Sequence, residues 1–309
     1  MRVFVAGATG VLGQPTVKLL VVSEHEVIGT ARGEENARLL RSLGATPVSI
    51  DLFDADAVKE AVAGCDAVVH LATKIPPLKK MRSRKAWLEN DRLRTEATKN
   101  LVDGALAGGA HTFVGESITF TYASAGDRWL DENAPMKLAW TALDSAVELE
   151  REVRRFGGAG KSGVILRFGL FYAPYAASTI DTAKMMRRRM FGIIGKGENY
   201  FSSIHVDDAA AAVVAALRVP SGAYNIVEDE PVSQAEYARA MSTELHLPKP
   251  MHVPTFLGKL ILGGPANYLL NSARVSNKKF KDATGWSPKY PSVHQGFREV
   301  ADVLGNGRH

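Results

Sequence analysis

The chain has 309 residues, 46% hydrophobic and 23% charged, with 28 glycines spread along it rather than gathered in one block. A chain of this size and composition buries a large core without staples, which excludes a disordered, collagen-like or small disulfide-rich protein. One cysteine, Cys65, excludes an intrachain disulfide and a thiolate zinc site, and a net charge of +5 is too small to argue for nucleic acid.

The predicted elements follow in chain order. Short β-branched runs at Val3–Ala6, Val27–Thr30, Pro47–Ile50, Ala67–Leu71, Thr112–Val114 and Val164–Phe168 read as strands. Stretches with helical spacing lie between them, at Pro15–Val22, Glu34–Leu43, Ala55–Ala63, Asp91–Leu106 and Leu143–Phe156. This alternation implies βαβ units and an α/β fold with a doubly wound parallel sheet of the Rossmann type. After about Phe171 prolines and glycines punctuate the chain, which suggests a smaller substrate lobe. The expected division is a nucleotide-binding domain over residues 1–170, with 203–226 returning to it, and a substrate-binding lobe over 171–309.

Met1 to Ala6 runs straight into glycines and reads as a first strand, not a signal peptide. No apolar run approaches the roughly 20 residues of a membrane span. The expectation is a cytoplasmic protein with no membrane partner, acting as a monomer or homodimer.

Gly7-Ala8-Thr9-Gly10-Val11-Leu12-Gly13 follows the first strand and opens a helix, the context a pyrophosphate-binding loop requires. Gly7 permits the turn, Gly10 the approach of a phosphate and Gly13 close helix–strand packing, with helix N–H groups as donors. The second strand ends at Thr30-Ala31-Arg32, with no carboxylate before Glu34. A guanidinium at that place suits a 2′-phosphate, so NADP is expected in preference to NAD. Asp51 and Leu52, ending the third strand, are expected near the adenine.

These motifs, with His70-Leu71-Ala72, resemble the short-chain dehydrogenase/reductase superfamily. Thr98-Lys99-Asn100-Leu101, Phe113-Val114-Gly115-Glu116-Ser117, Arg167 to Pro174, His205-Val206-Asp207-Asp208 and Tyr224-Asn225-Ile226 narrow the resemblance to its extended, NAD-dependent epimerase/dehydratase branch. The resemblance covers nearly the whole chain. It implies that Leu71, Ala72 and Thr73 after the fourth strand, and Phe168 at the end of the sixth, border the cofactor.

Members of that branch use a Tyr-x3-Lys pair, and this chain departs from them. None of its eight tyrosines has a lysine four residues later. On the matching helix face Trp140, Asp144 and Glu148 stand at i, i+4 and i+8. Tryptophan donates only an N–H and cannot shuttle a proton, while Asp144 could accept from the nicotinamide ribose. The resemblance is therefore to atypical members. Candidate acid–base groups are Ser117, Glu116 and Tyr122, at the end of the strand nearest the nicotinamide. His205 with Ser117 and Asp207 lacks the elbow of a hydrolase, and His205 to Asp208 is expected to tie a loop and cap a helix. No metal-ligand cluster is apparent.

From Lys74 to Arg94 eight basic residues stand against Glu89 and Asp91, a local charge of +6 that leaves the rest near −1. The segment follows the fourth strand, so it is either a flap drawing an anionic small molecule to the crevice or a solvated basic face. Pro254 to Leu257 and Asn267 to Leu270 are expected to line an apolar substrate pocket. The functional expectation is reduction or epimerisation of a small carbonyl- or hydroxyl-bearing metabolite. The alternatives are a non-redox lyase or cyclase and a non-catalytic NADP-sensing module.

Overall fold

The computed structural model describes residues 1–77, 80–137 and 143–306. Its first half is a run of βα units: β1 (Arg2–Ala6), α1 (Gly13–Val22), β2 (Glu26–Thr30), α2 (Glu34–Ser42), β3 (Thr46–Val48), α3 (Ala55–Val62) and β4 (Ala67–His70). Then come α4 (Arg84–Arg92), a five-residue π-turn (Leu93–Ala97), α5 (Thr98–Ala107), β5 (Thr112–Ile118), β6 (Trp129–Leu130), α6 (Asp144–Gly158) and β7 (Ser162–Phe168).

The second half holds β8 (Leu170–Tyr172), α7 (Ala177–Arg187), β9 (Gly192–Ile194), β10 (Tyr200–Phe201), β11 (Ser203–His205), α8 (Val206–Ala215) and β12 (Gly222–Ile226). It ends with β13 (Val232–Ser233), α9 (Gln234–Glu244), β14 (Met251–Val253), α10 (Thr255–Leu262), α11 (Gly264–Leu269), β15 (Arg274–Val275), α12 (Lys278–Thr284) and α13 (Val293–Asn306).

Seven strands form one parallel sheet in the order β12-β7-β5-β4-β1-β2-β3. The order reverses between β1 and β4, which opens a crevice at their C-terminal ends, where doubly wound sheets take ligands. Because strand side chains alternate, β1 sends Val3 and Val5 to one face and Phe4 and Ala6 to the other. The first face is covered by α1 and α8 through Val17, Leu20 and Val213; the second by α3, α5 and α6 through Val58, Leu101 and Phe156. Burial on both faces explains why these strands are apolar throughout.

Gly222–Ile226 joins the sheet as its edge strand beside β7. Farther on, Phe280 and Trp286 bury themselves in the core under α8, so the chain returns to the sheet a second time. The lobe has its own core of Tyr172, Met186, Met241, Val293, Phe297 and Val300. Among the described residues no helix is long and apolar enough to cross a membrane.

Two elements run beyond their sequence expectation, for one reason. The expected helix from Asp91 begins at Arg84, and the expected strand Thr112–Val114 continues to Ile118. In both, polar residues stand among the additional inward positions and interrupt the apolar pattern. Asn90 and Arg94 continue the buried spacing of Trp87, Ala97 and Leu101, and Glu116 and Ser117 continue the buried strand.

Candidate active site

The loop after β1 is shaped by its glycines. Gly7 has φ +83°, and a Cβ there would lie 2.6 Å from the Ala72 nitrogen. At Gly13 a Cβ would lie 2.1 Å from the Gly7 carbonyl oxygen, so only glycine lets α1 start this close to β1. The Gly7 N–H donates to Thr30 Oγ1 at 2.9 Å and Gln14 Nε2 donates to the Thr9 carbonyl at 3.0 Å, holding the loop from both sides. Leu12, at the N-cap of α1, contributes no capping side chain; the Gln14 and Thr16 N–H groups bond the Gly10 and Leu12 carbonyls and Pro15 has none, so of the first turn it is the Gly13 N–H that is left for whatever lies over the loop. Gly10 and Val11 are exposed on that rim and Leu12 is buried beneath it. Such a cradle fits a dinucleotide pyrophosphate.

Arg32 stands at the end of β2 with its side chain 83% exposed, tied only loosely to Glu89 at 3.8 Å. Glu89 also holds Lys74 at 2.5 Å. Asp51 is exposed and its Oδ1 accepts from the Phe53 N–H; the Leu52 carbonyl accepts from Asn100 Nδ2. Leu71 is buried, and Ala72 and Thr73 are half-buried beside Gly7 at the crevice floor. Asp144 is exposed at the first position of α6. The Phe168 ring is wholly buried against Phe171, so its side chain serves the core and not the crevice wall. Trp140 lies outside the described residues.

The three catalytic candidates part company. Ser117 is fully buried and its Oγ donates to Glu150 Oε1 at 2.7 Å. Glu150 is gripped by Arg167, whose Nε and Nη2 donate to its two oxygens at 2.8 and 2.7 Å, and by Arg154 at 2.6 Å. Tyr122, also fully buried, donates to Asn225 Oδ1 and accepts from Arg167 Nη1, both at 2.8 Å. Burial pushes its phenol up to about 12. Both hydroxyls are thus fastened into a network joining β5, α6, β7 and β12, and neither holds a spare proton for a ligand. Of the network's anchors, Asn225 stands in the Tyr224-Asn225-Ile226 motif, whereas Glu150 is marked in the sequence only by its place in a helical stretch.

Glu116 points to the other side of β5 and is 7% exposed. Burial pushes its carboxyl up to about 7, against the pull of the Arg94 cation. Arg94 itself comes from the π-turn and is 2% exposed. Its neighbours His70 and Asn90 are buried too; His70 Nε2 meets the Leu93 carbonyl at 3.1 Å, and burial drops this imidazole to about 4. In the sequence Arg94 is indistinguishable from the other cations of the basic segment, and nothing there marks Asn90.

That segment is less of a free flap than its charge suggests. Arg84 pairs with Asp91, and Arg92 pairs with Glu96 at 2.8 Å while stacking on Phe53. Arg82 Nη1 donates to the Ile261 carbonyl at 2.8 Å, pinning the segment to α10, and Trp87 is buried with its N–H on the Met81 carbonyl. The lobe's contribution also differs from expectation. Phe256 is 74% exposed and Leu257 37%, so α10 leaves both uncovered rather than enclosed. Tyr268 does face inward, edge-on to Phe120 at 4.4 Å, beside a small cavity shared with Tyr200 and Asn271.

His205 caps α8 by accepting the Asp207 N–H at Nδ1, and its Nε2 meets Glu299 at 3.2 Å. Asp208 accepts from the Lys289 and Tyr290 N–H groups and ties the loop before α13. His205, Asp207 and Glu299 bring ligand atoms within 4.8 Å of one another, but both imidazole nitrogens are already engaged in these structural bonds. An open depression of about 510 Å³ near His111, Lys161 and Arg218 lies at the opposite end of the sheet from the glycine loop.

Comparison with known proteins agrees with this fold. The model of the NAD dependent epimerase/dehydratase family matches residues 3–227. A 3-diazoavenalumate denitrifying reductase from Streptomyces sp is 34% identical, over 96% of this chain and 99% of its own length. The chloroplastic epimerase family protein SDR39U1 homolog of Arabidopsis thaliana is 27% identical, over 97% of this chain and 86% of its own. Among solved structures, human epimerase family protein SDR39U1 (isoform 2) with NADPH superposes with a TM-score of 0.80 at 22% identity, over 98% of this chain and 99% of its own. UDP-glucose 4-epimerase of Thermotoga maritima does so at 0.82 and 17%, over the full length of both chains. The chain belongs to the NAD-dependent epimerase/dehydratase family, as an NAD(P)-dependent, reductase-like enzyme.

Proposed function

We propose that this protein is an NADPH-dependent reductase of a small carbonyl-bearing metabolite, with Glu116 as proton donor in place of the absent tyrosine–lysine pair. The observation that carries this reading is the state of Glu116, a carboxyl enclosed at the C-terminal end of β5 and raised to about 7. A group titrating at the working pH both holds a proton and gives it up readily, which is what general acid catalysis asks. Ser117 and Tyr122, committed to Glu150 and Asn225, hold the strand that presents it.

Bound NADPH would supply the hydride. The glycine loop and the start of α1 hold the pyrophosphate, and Arg32 meets the 2′-phosphate once it lets go of Glu89. Support for NADP over NAD comes from Arg32 and from the human relative solved with NADPH. Support for reduction comes from the Streptomyces reductase. Glu116 passes its proton to the carbonyl oxygen as that oxygen gains charge, and recovers one from water.

The test follows NADPH fluorescence against a panel of aldehydes and ketones. Glu116→Gln is expected to cut turnover by about 10²–10⁴-fold, to erase the pH limb near 7 and to leave NADPH affinity unchanged. Full turnover in Glu116→Gln, with loss in Tyr122→Phe, would overturn the assignment.

A further inference from the structure

We propose that the crevice holds its substrate by a carboxylate, bound through the Arg94 guanidinium with the Asn90 side-chain amide as second donor. The inference rests on the reductase reading above only in that it places this anion beside the reacting carbon.

A buried guanidinium is costly unless paired. The same molecule shows what a structural one looks like. Arg167, equally buried, bonds both oxygens of Glu150, the Tyr122 hydroxyl and the Glu132 carbonyl. Arg94 is 2% exposed, yet among the described residues its guanidinium makes no hydrogen bond and has no carboxylate within ion-pair distance. Its Nε is fully enclosed and without a partner. Asp91 and Glu116 act on it only from farther off. Asp91 gives its Oδ2 to Arg84 while its Oδ1 is enclosed without reaching Arg94, and Glu116 holds a proton for much of the time at neutral pH.

Asn90 supplies the independent observation. It is fully buried, and its Oδ1 accepts the Lys74 N–H at 3.1 Å, which fixes the loop after β4. Its Nδ2 has no partner. Asn90 and Arg94 are one turn apart on the inward face where α4 enters the π-turn, so two orphaned donors stand together. A planar guanidinium edge and an amide N–H match the two oxygens of a carboxylate. One cation balances a monoanion; a phosphate dianion would call for more positive charge than the pocket carries.

The probe is benzoate, against benzamide as its neutral counterpart and inorganic phosphate as the other anion, titrated calorimetrically with and without saturating NADPH. Benzoate is expected to bind at least tenfold more tightly than benzamide or phosphate, and Arg94→Met to remove at least tenfold of that affinity. NADPH affinity, measured separately, stays unchanged in Arg94→Met, so failure of cofactor binding and failure of the anion site are read independently. Should Arg94→Met unfold, Arg94→Lys and Asn90→Leu replace it, each expected to weaken benzoate at least threefold. Equal affinity for benzoate and benzamide, tighter binding of phosphate, or unaltered benzoate binding in the folded variants would overturn the proposal.

Discussion

Glu116 and Ser117 are neighbours on one strand, yet strand alternation gives them opposite surroundings. Ser117 finds a carboxylate that Arg167 and Arg154 hold ionised, so its hydroxyl is locked as a donor. Glu116 finds apolar burial and a distant cation, so its carboxyl titrates near neutrality. Arg32 is the residue whose role can be read most directly. Its exposed guanidinium holds only a loose 3.8 Å contact with Glu89, which leaves it free for the phosphate proposed above. Arg32→Ala is expected to weaken NADPH binding about tenfold and to leave NADH binding unchanged, as measured by fluorescence titration. Equal losses for both dinucleotides would remove the argument for a 2′-phosphate site. The place of Arg32 beside the end of β2 is legible from sequence, because it follows directly from where the second strand ends.

Among elements, the α4–π-turn–α5 rod and the β5–α6–β7 contact carry the candidate site. The rod turns Arg94 and Asn90 inward, and its first half escapes a hydrophobic pattern because, of the two buried residues of α4, Trp87 is apolar but Asn90 is polar. The β5–α6–β7 contact is knitted by Glu150 and Arg167. Removing one member of such a buried pair leaves the other uncompensated, whereas replacing both need not. Glu150→Ala is therefore expected to cost about 3–5 kcal/mol by urea unfolding. It also frees the Ser117 hydroxyl and a charged Arg167 beneath the site. A loss within half a kcal/mol would show that the network is not holding β5.

For the whole molecule, buried titrating groups set a pH window. Burial raises Glu228 to about 8 and Glu116 to about 7, so both favour the protonated folded state. Their contribution is complete below the unfolded carboxyl value near 4.5 and is lost as pH rises through those raised values. His70 and His205 are both lowered to about 4, so theirs is complete above the unfolded value near 6.5 and is lost as pH falls. The two trends oppose each other from about 4.5 to 6.5, and above that the carboxyls act alone. Stability should fall between pH 6.5 and 8 by about 1.4 kcal/mol per unit for each carboxyl still releasing its proton. Glu228→Gln should flatten the upper part of that slope in melting temperatures. An unchanged slope would show that Glu228 is solvated in the folded state.

The sequence by itself determined the parallel α/β sheet, the glycine cradle and the absence of a Tyr-x3-Lys pair. These depend on local spacing, since alternating strand and helix periods and glycines at a strand–helix junction are properties of short segments. Only the tertiary structure decided which polar groups are spent and which are free. Ser117 meets Glu150 across 33 positions and Tyr122 meets Asn225 across 103. Arg94 and Glu116 come within electrostatic reach of each other because the π-turn and the end of β5 converge. Hydrogen-bond satisfaction and burial are set by partners distant along the chain, and no local pattern records them.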